Sequence, residues 1–335
     1  MREEAPLAAD LLTRAQRGDD AAFAALTEPH RRELLAHCYR MLGSFQDAED
    51  ALQDVLVTAW RGIGGFAGRA SLRTWLYRIA TNRCLNARRD AARRPPQAWN
   101  VPGVVPPEPS RLGEVVWLQP FPEALMEGLG ELPAGPEARY EQHESMSLAF
   151  VTALQVLPPR QLAVLVLRDV LGFSAAEVAE MLDISLDAAN SALKRARAGL
   201  SARPLPAAPS AGDEGLVARF VAAYEAADVD TVVSLLTDDI FMSMPPMPFE
   251  YVGHDAVHEF LMMLFAGGRR HSLVPIRANG QPAFGAYLLG PDGLRHAAGL
   301  FALELRDGRI GALMRFESTV LPWFGLPRTL PATGG

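Results

Sequence analysis

Cysteine is almost missing from this chain. Cys38 and Cys84 are the only two in 335 residues, too few for a disulfide framework or a cysteine zinc cluster, and small buried side chains are their expected role. Lysine is scarcer still: Lys194 stands alone, so every other cation is arginine. No apolar run reaches the length of a membrane span; SLAFVTALQVL is broken by Ser147, Thr152 and Gln155. The opening MREEAPLAADLL carries acids where a secretory leader needs a basic start and an apolar core. The expected location is therefore cytoplasmic, with no membrane partner.

What is present is ordinary in bulk and uneven in distribution. An apolar share of 49% and a charged share of 21% are those of a soluble globular protein, and the length accommodates two or three domains. The net charge of −7 divides into +3 over 1–94, −6 over 95–144, +1 over 145–203 and −5 over 213–335. Within the first segment, Arg69 to Arg94 holds eight arginines against one acid, Asp90, interleaved with Trp75 and Tyr77. A solvated helix face usually mixes both signs. A single-signed face beside aromatic residues suits phosphates and unpaired bases.

Residues 7–94 read as helical throughout. In SFQDAEDALQDVLVTAW, Ala48, Ala51, Leu52, Val55 and Ala59 form one apolar stripe, and Asp47, Glu49, Asp50, Gln53 and Asp54 occupy the remaining faces. From position alone that acidic remainder is a solvated surface. A glycine-rich loop, GIGGFAGRAS, precedes the arginine-rich helix. Residues 95–144 are proline-dense, acidic and without periodicity, which forbids a continuous helix or a central strand and reads as a linker. Helical pattern returns over 145–203. Ser174 with Glu177 predicts a capping box, the helix closes near Leu182, and Ser185 starts a second helix ending in Lys194, Arg195 and Arg197. Two short helices joined by a tight turn, with a basic end on the second, form a helix-turn-helix pattern.

In order along the chain these motifs resemble the extracytoplasmic-function sigma factors of bacterial RNA polymerase. DAEDALQDVLVTAWRG is similar to the segment that binds the β′ clamp helices of core polymerase, which implies contacts from Asp47, Glu49, Asp50, Gln53, Asp54, Val57 and Trp60. FAGRASLRTWLYRIATNRCLNARR is similar to the segment that opens and reads the minus-ten element. The resemblance implies a pocket for a flipped base in Phe66, Gly68, Arg69, Ala70 and Ser71, with Thr74, Trp75, Arg78, Asn82, Arg83, Asn86 and Arg89 along the strand. LPPRQLAVLVLRDVLGFSAAEVAEML and the helix after it resemble region 4, which reads the minus-thirty-five element and meets the β flap. Ser174, Asp187, Ala188, Asn190, Ser191, Lys194, Arg195 and Arg197 are the implied DNA contacts. Relatives usually carry basic residues at Asn190 and Ala192, so contact there is expected to be weaker, or biased toward the adenine edge that asparagine suits.

The expected architecture is two all-α sigma domains, 7–94 and 145–203, joined by the linker and followed by an α+β domain at 213–330. In that last part EGLVARFVAAYEAADVDTVVSLLTDDI reads as two helices, with alternating strands after it. It resembles the SnoaL-like cone-shaped barrel also found in polyketide cyclases and ketosteroid isomerases. Its expected role is a regulatory or ligand-binding module, with Tyr224, Met242, Met244, Phe301 and Met314 about the pocket. Its −5 charge complements the basic helix, which suggests regulation in cis. An enzymatic alternative would use Asp239, Glu250 or His254, but no spacing pairs a base with an oxyanion donor, so no catalytic residue is assigned. HDAVH, 254–258, imitates a two-histidine zinc motif without a third ligand, so neither metal nor cofactor is expected. Promoter DNA and core polymerase are the expected partners, with an anti-sigma factor or a small molecule as further candidates. A one-component helix-turn-helix regulator is the rival reading, and it leaves the first 94 residues unexplained.

Overall fold

The computed structural model describes residues 4–91, 94–95, 97–99, 104–115, 117–126, 144–201 and 214–331. The chain divides into two compact units, one formed by 1–94, 125–145 and 153–204, the other by 95–124, 146–152 and 205–335.

The first unit is helical. It opens with α1 (Glu4–Gln16), α2 (Asp20–Thr27), α3 (Arg31–Leu42), α4 (Phe45–Gly62) and α5 (Leu72–Ala91). Local chemistry sets these boundaries. Asp19 accepts the Ala22 N–H at 2.9 Å to start α2, and Ser44 accepts that of Asp47 at 3.1 Å to start α4. Gly43, at φ +73°, supplies the left-handed turn that ends α3. The stripe Ala48, Ala51, Leu52, Val55 and Ala59 is buried. Tyr39, Leu76, Tyr77 and Ala80 are also buried, and so are Cys38 and Cys84, both free thiols.

The chain re-enters this unit at residue 153, within α6 (Leu148–Gln155), and continues through α7 (Pro159–Leu165) and a π-helical turn at Val166–Val170. The hairpin α8 (Ala175–Leu182) and α9 (Leu186–Ser201) follows. The capping box forms as expected: Ser174 Oγ accepts the Glu177 N–H at 3.3 Å, and the Glu177 carboxylate accepts the Ser174 N–H at 2.8 Å. Asp183, at φ +52°, ends α8, and Ser185 Oγ accepts the Ala188 N–H at 3.1 Å to begin α9. Arg88 binds the carbonyls of Met41 (2.9 Å) and Gln155 (3.0 Å), and Phe173, just before α8, sits edge-on to Tyr77 at 5.3 Å between ring centroids.

The second unit sets α10 (Glu214–Ala226), α11 (Val229–Ser234) and α12 (His254–Phe265) against one sheet. Its strands are β1 (Arg111–Leu112), β2 (Leu236–Met244), β3 (Met247–Val252), β4 (His271–Ala278), β5 (Gln281–Leu289), β6 (Leu294–Arg306), β7 (Arg309–Phe316) and β8 (Thr329–Pro331). The order is β1-β3-β2-β7-β6-β5-β4, with β8 on β6, so the sheet is open where a barrel would close. The pairing of β2 with β7 is parallel, and those along the rest of the path are antiparallel. The LTDDI stretch corrects the helical reading. The second helix stops at Ser234, and Leu236 begins a strand that carries Ile240, Met242 and Met244 into the core.

The segment read as a linker does more than connect. Its described residues from 95 to 124 belong to the second unit. Prolines that bar a central strand still permit a short edge strand, and β1 pairs antiparallel with β3. Tyr251 donates its hydroxyl to Pro107 O at 2.9 Å, and Ser110 Oγ accepts the Val252 N–H at 3.0 Å. A clasp forms at the β4–β5 turn. Asn279 Oδ1 accepts the Phe121 N–H (2.7 Å), the Asn279 N–H donates to Phe121 O (3.0 Å), and Asn279 Nδ2 donates to Met146 O (2.6 Å). Asn279 is buried and sits at φ +55°, where asparagine is tolerated better than most residues. Asn279→Ala is expected to cost roughly 2 kcal/mol, from buried groups left unpaired and a strained φ. Chemical denaturation of the full chain, followed in the β signal of circular dichroism, checks this; an unchanged midpoint would remove the clasp from the account.

Candidate nucleic-acid interface

Helical spacing puts Trp75, Arg78, Asn82, Asn86 and Arg89 at i, i+3, i+7, i+11 and i+14, a single stripe along α5. Arg78, Asn82, Asn86 and Arg89 are exposed, whereas Trp75 is half-buried. The opposite side of α5, with Leu76, Tyr77, Ala80, Thr81 and Cys84, is buried. The helix thus packs on one side and offers two cationic and two amide side chains on the other.

The arginines from 69 to 94 divide by partner. Arg73 is internal: its Nε donates to Glu33 Oε2 at 3.0 Å, and its guanidinium lies over the rings of Tyr77 (4.8 Å) and Phe173 (5.0 Å). Tyr77 donates its hydroxyl to the same Glu33 oxygen at 3.1 Å, and His30 Nδ1 lies 2.6 Å from the other. Burial pushes the Glu33 carboxyl up, and the His30 and Arg73 contacts more than reverse it, leaving its pKa below the usual range. Arg88 is spent on carbonyls, and burial lowers its pKa. Arg83 pairs with Asp54, and Arg94 grips Asp47 bidentately at 2.8 and 2.9 Å. Arg69 and Arg78 have no ion pair among the described residues. The single-signed run is therefore a mixture of structural arginines and presented ones.

The loop before α5 is fixed at both ends and open in the middle. Phe66 packs on Trp75 with ring centroids 5.1 Å apart, and Gln16 Nε2 donates to Phe66 O at 2.9 Å. At the other end Ser71 Oγ accepts the Thr74 N–H at 3.0 Å. Between them Ala67, Gly68 and Arg69 are exposed, with Gly68 at φ +67°, while Ala70 and Thr74 are half-buried.

On α4 the expected polymerase-facing residues separate. Glu49, Asp50, Gln53 and Val57 are exposed. Asp47 and Asp54 are half-buried and engaged by Arg94 and Arg83. Trp60 is half-buried, edge-on to Phe23 at 5.1 Å. On α9, Asp187, Ala188, Asn190, Ser191, Lys194 and Arg195 form the exposed side. Arg197 is tied down by a bidentate pair with Asp169 at 2.8 and 2.7 Å, and Ser174 is occupied by its capping bond. Ala192 is buried.

In the second unit, Met242 and Met244 lie in the core and Met314 is buried on β7. Phe301 alone of the expected pocket residues lines the cavity of about 420 Å³ there, with Tyr224 packed against it at 5.3 Å. His271, Arg315 and Trp99 line the cavity too and were not legible as a group, since they come from β4, β7 and the segment read as a linker. Asp239 pairs with Arg306, Glu250 with Arg111, and His254 Nε2 lies 3.3 Å from Leu236 O. His258 Nε2 lies 3.4 Å from Asp230. No helix among the described residues is long and apolar enough to cross a membrane.

Residues 26–94 match Sigma-70 region 2, 147–200 match Sigma-70 region 4, and 217–312 match the SnoaL-like domain. The chain is 44% identical over 330 residues to the ECF RNA polymerase sigma factor SigG of Mycobacterium tuberculosis, covering 94% of this chain and 86% of that one. It is 31% identical over 304 residues to SigJ of the same organism, covering 85% and 88%. The crystal structure of that SigJ superposes with a TM-score of 0.57 at 25% identity, covering 89% of this chain and 96% of the other.

Proposed function

This chain is a member of the extracytoplasmic-function sigma factors of RNA polymerase, and on that premise we propose that the exposed stripe of α5 separates promoter strands while the outer face of α4 holds the enzyme. As a sigma factor the protein binds core RNA polymerase and directs it to specific promoters. Trp75 and Phe66 supply an aromatic step at the edge of the open loop, and Arg78, Asn82, Asn86 and Arg89 follow the unpaired strand by phosphate and base contacts. Asn190, Ser191, Lys194 and Arg195 on α9 meet the upstream element in the major groove. The SnoaL-like domain serves as a regulatory or ligand-binding module, not as an enzyme. Asp239 and Glu250, the candidate carboxylates, are both held in ion pairs with arginines.

The observation that carries this reading is the one-sided α5, whose buried face is apolar while its outward stripe is cationic and amide-bearing. Run-off transcription with purified core polymerase and candidate promoters, including the one upstream of its own gene, tests the function directly. Arg78 is exposed and has no ion pair among the described residues. Arg78→Ala should therefore leave folding and promoter binding within a few-fold and lower permanganate reactivity of minus-ten thymines several-fold. Unchanged reactivity would take Arg78 out of strand opening.

A further inference from the structure

The cavity of about 420 Å³ in the second unit is of a size that small ligands occupy. Its walls are apolar over much of their extent, with Trp99, Phe260, Leu264 and Phe301 among them. Among the polar side chains that break that surface, with Arg269, His296, Glu317 and Ser318, are His271 at the start of β4 and Arg315 on β7.

Neither is satisfied. Arg315 Nη2 donates to Ala298 O at 2.9 Å, but Nη1 is shielded from solvent without a hydrogen-bond partner, and so is His271 Nδ1. Behind them the ring of Tyr224 lies 5.6 Å from His271 and 5.3 Å from Phe301, and its buried hydroxyl is likewise unpartnered. Two buried polar atoms left open on the cavity's lining residues, with a third on Tyr224 beside them, make an expensive arrangement for a stable core. Charge points the same way. Arg269 and Arg315 face the cavity against one carboxylate, Glu317, which also accepts from Gln97 Nε2 at 2.9 Å. Burial and these two arginines hold the His271 imidazole neutral, with its pKa pushed down to about 4.

From this geometry we infer that the cavity binds a small organic monoanion, a carboxylate on a one- or two-ring apolar body, with the anionic group on Arg315 and the rings against Trp99, Phe260 and Phe301. A carboxylate brings two acceptor oxygens, enough to engage Arg315 Nη1 and a second donor at once, and a charge-assisted bond is the strong kind. The aromatic walls account for the body. Trp99 gives the site a further property. It comes from the segment that follows α5 in the chain, and its Nε1 donates to Val104 O at 2.6 Å while its ring faces Phe260 at 6.2 Å. An occupant would brace that segment.

This inference rests on the reading of the domain as a ligand-binding module, and a matched pair of probes separates the two. Isothermal titration of the full chain uses 2-naphthoate and its uncharged amide, 2-naphthamide. The naphthoate is expected to bind at least about tenfold more tightly. Arg315→Gln should weaken the acid to the level of the amide and leave the amide unchanged. Equal affinity for both probes would overturn the anion site while keeping the cavity as a ligand site. No binding of either at millimolar concentration would remove both. The comparison of acid with amide needs no variant, so a poorly folding Arg315→Gln protein does not spare the inference. Run-off transcription by the same preparation, without probe, reports separately on the sigma function.

Discussion

The double variant Asp50→Arg/Gln53→Arg is expected to lose core polymerase, with affinity falling by about two orders of magnitude or more. Both side chains are exposed on α4, on the side away from its apolar stripe, so the substitution leaves the buried packing alone. The local charge nevertheless changes by three units. Like charges brought together across an interface cost several kcal/mol, and about 2.7 kcal/mol already accounts for a hundredfold. Neighbouring Glu49 is also exposed, so the native face carries adjacent acidic side chains. Co-purification with core polymerase, alongside circular dichroism of the free variant, gives the result. Normal capture by a fully helical variant would return this face to plain solvation.

The second large effect concerns stability. Glu33→Ala removes the one carboxylate that holds Arg73, Tyr77 and His30 together. The Arg73 guanidinium would remain between the rings of Tyr77 and Phe173 without its counter-charge. Breaking a buried pair from one side costs about 3–5 kcal/mol. Side-chain exposures of 24% for Glu33 and 30% for Arg73 put this pair at the low end, about 3 kcal/mol. The pH dependence follows from the sign of the shift. The folded pKa of Glu33 is depressed, so its contribution is fully present above the ordinary carboxylate range. It is lost as pH falls through the lower folded value. Denaturant midpoints of wild type and Glu33→Ala should therefore differ most near neutrality and converge in acid. A gap that persists unchanged in strong acid would assign the effect to lost packing instead of charge.

The sequence made some of this legible and hid the rest for identifiable reasons. The α4 stripe was readable because an amphipathic helix writes its burial at fixed spacing. The Ser174–Glu177 box was readable because both partners lie within one turn. Arginine roles were not. Arg73 meets Glu33, Arg83 meets Asp54, Arg94 meets Asp47 and Arg197 meets Asp169, and each partner is 28 to 47 positions away. No local pattern distinguishes these from Arg78, which the fold leaves outward. The edge strand at Arg111–Leu112 was hidden because its partner, β3, comes nearly 140 residues later. The start of β2 was lost because Leu235 and Leu236 continue an apolar helical rhythm up to the residue where the backbone extends. A pocket in this domain was expected, but of its expected lining only Phe301 was placed, since periodicity predicts which residues go inside and is silent on where packing falls short.

The edge-on contact between Phe173 and Tyr77 bears on the order of events at a promoter. It joins the helix proposed to open the minus-ten element to the entrance of the hairpin proposed to read the minus-thirty-five element. Those elements lie some 25 base pairs apart, on the order of 80 Å of duplex at ~3.4 Å per pair. Side chains in van der Waals contact through Tyr77 and Phe173 cannot straddle that span. The joint must come undone, with Arg88 letting go of the Gln155 carbonyl, before both sites can be occupied together. On the proposed assignments the closed form cannot hold both elements at once, and two-point reading awaits whatever prises the joint apart.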